Sequence, residues 1–266
     1  METYVLICLI AFFAGFTQGL SGFGSVLLSL PLLTLFVDIK IVIPLVALFA
    51  MVLTTILLIQ LWQHIEWKKV YPLLFGSIFG IPAGVFILKE LDKSIIQMVL
   101  GITLISFSFY SLFIRPPNRF INERWAVFFG FFAGCLGGAI TAAGPPVIVY
   151  TSLQPWDKDK IKATLQGFFF FSGLAVVFSH AVGGVTTALV IRYFIVSIPL
   201  LIGGTYAGSF FYGMVKEEGY KRIILILLAL LGAFMLVKST HGFPFTSDSI
   251  LFLIAILPLS LIYIRP

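Results

Sequence analysis

The chain has 266 residues, 60% of them hydrophobic and only 11% charged, with a mean hydropathy of +1.10. A soluble domain carries about a quarter charged residues, and an outer-membrane barrel alternates polarity over roughly ten-residue segments; the sequence follows neither pattern. The net charge of +6 is scattered among short loops, without a basic patch interleaved with aromatics, so nucleic acid is not an expected partner.

What remains is an all-α polytopic membrane protein whose outer surface meets membrane lipid. In chain order, the apolar segments fall near 4–37, 41–62, 70–88, 95–114, 126–153, 163–182, 193–215, 223–237 and 250–264. The start "METYVLICLIAFFAGF" lacks the basic region and cleavage site of a signal peptide and is expected to be retained. A spanning helix needs about 20 residues. The first and fifth segments exceed that, and glycines interrupt both: "GFTQGLSGFG" at 15–24 and "GGAITAAGPP" at 137–146.

The two halves resemble each other. "FFAG" at 12–15 returns at 131–134, an offset of 119 that also aligns Gly15 and Gly19 with Gly134 and Gly138. "PLLFG" at 72–76 matches "PLLIG" at 199–203, an offset of 127. The expected organisation is a first membrane repeat over 1–114, a cytoplasmic linker over 115–125, a second repeat over 126–238, and a C-terminal loop and helix over 239–266. If segments one and five cross completely, the Lys and Arg residues divide ten against seven between the two faces. If each enters, turns at its glycines and leaves by the same face, the division is twelve against five, the sharper positive-inside signal. The second topology makes the repeats inverted. Each then has a glycine-broken re-entrant first segment plus three spanning helices, with one extra C-terminal helix, as secondary transporters are often built. It puts the N-terminus outside and the C-terminus in the cytoplasm.

Glycines at G-x-x-x-G spacing, as at Gly76, Gly80 and Gly84 or Gly204 and Gly208, let membrane helices pack closely without any ligand. The two breaks invite a further role. Pro145 and Pro146 remove backbone donors and disfavour helix just before them. Unwound backbone at membrane depth persists only inside protein or along a wet cavity. Half-helix N-termini placed there, with free N–H groups and a positive dipole end, can hold an anion. The expected substrate-binding residues are Gln18, Ser21, Gly22, Gly24 and Ser25 in the first break, Thr141, Gly144 and Pro145 in the second, and Gln166 nearby. Their neutral donors suit a small anionic solute held loosely enough to be released. His180, near the end of its segment, is either a carrier of coupling protons or an interfacial histidine. The two cysteines, Cys8 and Cys135, lie in apolar segments and suggest neither a disulfide framework nor a metal site; no cofactor is implied.

At these breaks the chain resembles the TauE/SafE family of sulfite and organosulfur-anion exporters. The motif G-x-x-x-G-x-x-G-x-G is carried here by Gly15, Gly19, Gly22 and Gly24. Its second copy runs through Gly134, Gly138 and "AAGPPVIVY" (142–150), followed by "KATLQGFF" (162–169). The resemblance covers about 1–240. It implies a transporter in a prokaryotic inner membrane that exports sulfite, thiosulfate, a sulfonate or a similar organic anion, with protons as a coupling ion. An intramembrane enzyme is disfavoured, because H-E-x-x-H and carboxylates within the spans are missing. An anion channel and a non-transporting assembly or scaffold protein remain as alternatives, and a homo-oligomer stays open.

Overall fold

The computed structural model describes residues 2–22, 24–113, 121–211 and 217–241. The last apolar segment, 250–264, and most of the 115–125 linker lie outside them. Among the described residues the chain is helical, in the order α1 (Glu2–Ser21), α2 (Ser25–Leu33), α3 (Ile39–Leu61), a 3-10 turn (Trp62–His64), α4 (Trp67–Glu90), α5 (Lys93–Phe113), α6 (Trp125–Ile140), α7 (Gly144–Ser152), α8 (Lys158–Val182), α9 (Ala188–Phe211) and α10 (Glu217–His241). Each over-long segment is thus split at its glycines into a long helix and a nine-residue one.

Among the described residues, seven helices (α1, α3, α4, α5, α8, α9 and α10) are long and apolar enough to cross a membrane. That α1 is among them departs from a simple short re-entrant loop: its 20 residues measure about 30 Å, a full hydrocarbon thickness. It nevertheless stops at Gly22, whose φ of 78° a side chain rarely adopts, and α2 then packs against α1. Aspartates begin the helices that follow the two broken segments. Asp38 accepts from the Lys40 amide at 2.9 Å and Asp157 from the Lys160 amide at 2.8 Å, each satisfying a donor left open at a helix start.

Packing pairs the helices of one half with those of the other. The first helix of each half lies on the fourth helix of the opposite half, α1 on α9 and α6 on α4. Two further pairs, α3 with α8 and α5 with α10, join equivalent helices. Glycines bring the backbones together. An added Cβ at Gly19 would sit 2.8 Å from the Ser209 nitrogen, and one at Gly80 would sit 2.8 Å from the Cys135 nitrogen. The close approaches fix the register. Gly80 and Gly84 face Phe131 and Cys135, while Gly204 and Gly208 face Phe12 and Phe16. The facing glycines of the two fourth helices thus stand 124 residues apart (204 minus 80), against the 127 of the "PLLFG"/"PLLIG" identity. In that identity Gly76 packs against the α6 backbone while Gly203 meets nothing within 4 Å among the described residues, so the shared letters do not share an environment.

The helix ends are tied in two groups. In one, Lys40 Nζ donates to the Lys89 carbonyl (3.3 Å), Lys93 pairs with Asp38, and Lys238 Nζ donates to the Thr34 carbonyl (2.8 Å). In the other, Glu66 pairs with Lys69 (2.7 Å) and Lys160 (3.2 Å), and Gln154 Nε2 donates to the Ile121 carbonyl (3.1 Å). Many large apolar side chains, among them Phe75, Phe79, Phe86 and Phe210, are exposed. The run at 168–171 divides: Phe168 is fully buried, while Phe171 is exposed and packs edge-on against Trp67.

Candidate functional site

Both breaks open onto one cavity of about 70 Å³, several times the space that a single water needs. Its wall comes from the first break (Gln18, Gly24 to Leu27), the second break (Gly137, Thr141 to Gly144), the middle of α3 (Ala47, Ala50, Thr54) and the middle of α8 (Phe169, Ser172, Gly173, Val176). The wall is mostly apolar with a few polar tips, the usual make-up of a small-ligand site.

The first break is organised around two buried amides. Gln18 Oε1 accepts from Ser25 Oγ at 2.8 Å and from the Ser25 amide at 3.4 Å, across the interruption. The Gly22 carbonyl accepts from Gln18 Nε2 (3.3 Å) and from Gln166 Nε2 (2.6 Å), which reaches in from α8. Carbonyls at a helix end lack intrahelical partners, and here side-chain amides supply them. Gln166 Oε1 is buried and has no partner among the described residues. At Gly24, with φ of 97°, the chain reverses and starts α2 at the cavity wall.

Thr141 plays the corresponding part in the second break. Its φ of 57° is left-handed, and it stands 119 residues after Gly22, the offset of the "FFAG" repeat. A β-branched residue in that region is strained. The Thr141 hydroxyl donates to the Ile43 carbonyl of α3 at 3.1 Å, holding the turn in place. Then α7 starts at Gly144, followed at once by Pro145 and Pro146, which contribute no N–H. The two half-helix starts are unequal: α2 brings a full first turn of amides, α7 a reduced one.

Of the residues expected from sequence, Gln18, Gly24, Ser25, Thr141 and Gly144 line the cavity. The other four are not in its wall. Ser21 Oγ donates back to the Thr17 carbonyl (2.7 Å), Gly22 forms the turn, Pro145 is buried in the first turn of α7, and Gln166 holds Gly22. His180 is not in the cavity wall but lies one helical turn beyond Val176, which is, and it is completely buried in the protein. Thr54 and Ser172 also line the cavity, and no sequence pattern marks them. They lie within unbroken apolar runs where hydroxyls are common, and only their facing positions on α3 and α8 single them out. The hydroxyls of Thr54 and Ser172 donate to their own helices, to Ala50 and Phe168, at 2.7 Å each.

Paired broken helices around a shared cavity, inside a bundle of spanning helices, are a recurring architecture of secondary transporters. The model of the family described as "Sulfite exporter TauE/SafE" matches residues 7–235, and the chain belongs to that family. It is a multi-pass membrane protein of a transporter family. No curated protein and no solved structure matches it.

Proposed function

We propose that the protein carries a small sulfur oxyanion or organosulfonate across the membrane, outward from the cytoplasm, by alternating access of the cavity between the two breaks. One observation carries this: helix starts from both halves converge on a single small cavity with hydroxyl and amide tips and no charged side chain among the described residues of its wall. First-turn amides of α2 offer a positive dipole end to an anion. Ser25, Thr54, Thr141 and Ser172 add hydroxyls that can turn from their present acceptors toward an oxyanion. Gln18 shapes the wall, while Gln166, Gly22, Ser21 and Pro145 set the breaks around it. Without a fixed cation the anion is held weakly enough to leave.

An inverted pair of repeats suits this mechanism. The exchange of packing partners between halves and the two groups of tied helix ends support it. The denser positive charge supports a cytoplasmic position for the Glu66–Lys160 end.

Purified protein titrated with sulfite, thiosulfate and an alkanesulfonate should bind one of them saturably, and proteoliposomes should move it. Gly144→Ala is the discriminating variant. Among the described residues a Cβ there meets Ile148 and Phe169 alone, at 3.6 and 3.7 Å, ordinary contact distances, so the fold tolerates it. It places a methyl where the anion approaches the backbone and should weaken binding about three- to tenfold. Parent-like affinity in the folded variant would put the anion elsewhere.

A further inference from the structure

His180 lies two residues from the end of α8, is completely buried, and has one ring nitrogen at 2.9 Å from the Gly138 carbonyl oxygen. A carbonyl only accepts, so Nε2 carries the proton and donates; Nδ1 has no partner among the described residues. Gly138 lies in the last turn of α6, just before the second break. In a continuing helix its carbonyl would take the amide of residue 142. Here the Ala142 amide turns back to the Leu136 carbonyl (3.2 Å), and the Thr141 amide goes to Gly137 (2.8 Å). Gly138 is therefore left with an orphaned carbonyl at the negative end of a half-helix. The imidazole from α8 is what satisfies it.

We infer that His180 is a positioning residue that terminates α6, holding the left-handed turn at Thr141 against the cavity, rather than a proton carrier. This rests on the anion-site reading only for its functional consequence; the structural claim stands without it. The first break is held in the same manner, where Gln166 of α8 donates to the Gly22 carbonyl. A side-chain donor from α8 thus fixes each break, an amide at one and an imidazole at the other. The α8 helix also supplies cavity wall between those two donors. Movement of α8 is thereby transmitted to both half-helix starts together.

Glutamine places its amide nitrogen about where Nε2 sits, but does not titrate, so His180→Gln separates the two roles. Hydrogen exchange, measured without any anion, should show the Thr141 and Ala142 amides exchanging about tenfold or more faster in His180→Leu than in the parent. In His180→Gln they should stay near parent rates. Binding of the oxyanion found for the parent should weaken about three- to tenfold in His180→Leu and be restored in His180→Gln. If His180→Leu does not purify folded, His180→Asn, whose amide falls short of Gly138, takes its place. Unchanged exchange in the leucine or asparagine protein overturns the inference. So does a glutamine protein with parent exchange and affinity that has lost proton-driven flux, since the histidine would then be the carrier. A parent that binds none of the oxyanions removes the transport reading but leaves the exchange result intact.

Discussion

Replacing Gly80 by alanine adds one methyl group at the crossing of α4 and α6. That methyl would stand 2.8 Å from the Cys135 nitrogen and 3.0 Å from the Gly134 Cα, and closer still to the Phe131 carbonyl oxygen. Ordinary contact begins at 3.4 Å, so the helices must separate by at least about 0.6 Å (3.4 minus 2.8), and all three obstacles are backbone. No side chain can rotate away. Overpacking of this kind costs about 1–3 kcal/mol, and the loss of close approach along the ladder is felt at Gly76 and Gly84 too, each set against α6 backbone in the same way. Gly203, in α9, is the matched control: a methyl added there would meet nothing within 4 Å among the described residues. At that position the exchange to alanine should be neutral or slightly favourable, because alanine is the better helix former. Thermal unfolding in detergent, followed by size-exclusion chromatography of heated samples, should show Gly80→Ala melting several degrees below Gly203→Ala, about 3–10 °C for a chain of this size. Equal melting temperatures would refute the claim that glycine contacts hold the two halves together.

Much of this arrangement is legible in the sequence because a membrane chain has few ways to be helical. Apolar length marks the spans, Gly22 and Gly24 mark the first interruption, and Pro145 and Pro146 mark the second by stopping α6 short of them and opening α7. The likeness of the two breaks is legible too, since "FFAG" recurs at the offset that also relates Gly22 to Thr141 and Asp38 to Asp157. What the sequence conceals is which polar groups face one another. Thr54 and Ser172 look like ordinary hydroxyls bonded to their own helices, and in the structure they are; only the packing of α3 on α8 brings them to a common cavity. Gln166 reads as a substrate ligand, yet its amide is taken by Gly22, a contact 144 residues away in sequence. His180 reads as interfacial from its place in the segment, and is buried because α6 ends beside it. Each depends on tertiary geometry that local pattern does not encode.

Strain at the second break makes a stability prediction. Thr141→Ala loses the bond to Ile43 and keeps the left-handed φ, whereas Thr141→Gly loses the same bond and relieves the strain. The glycine protein should be the more stable of the two by about 1 kcal/mol in a denaturant or thermal melt; the reverse order would show that Thr141 is not strained. The topology prediction follows from tracing single crossings. Glu66 pairs with Lys160 at the start of α8, so the end of α3 and the start of α8 share a face. Lys40 at the start of α3 is one crossing away from that face, and so is the end of α8, where the short turn to α9 lies. Tyr4 packs edge-on against Tyr193, in the second turn of α9, with ring centres 5.1 Å apart, which puts the start of α1 on that same far face. Thr3 and Lys40 should therefore lie together, although 36 residues of mostly helical chain separate them. In a protein lacking Cys8 and Cys135, single cysteines at Thr3 and Lys40 should both react with an impermeant thiol reagent applied from outside, whereas one at the exposed Pro155 should react only after permeabilisation. The choice of the outer face in this prediction rests on the positive-charge asymmetry. Thr3 and Lys40 labelling from opposite faces would mean that the first broken segment crosses the membrane, and that the two halves are not inverted.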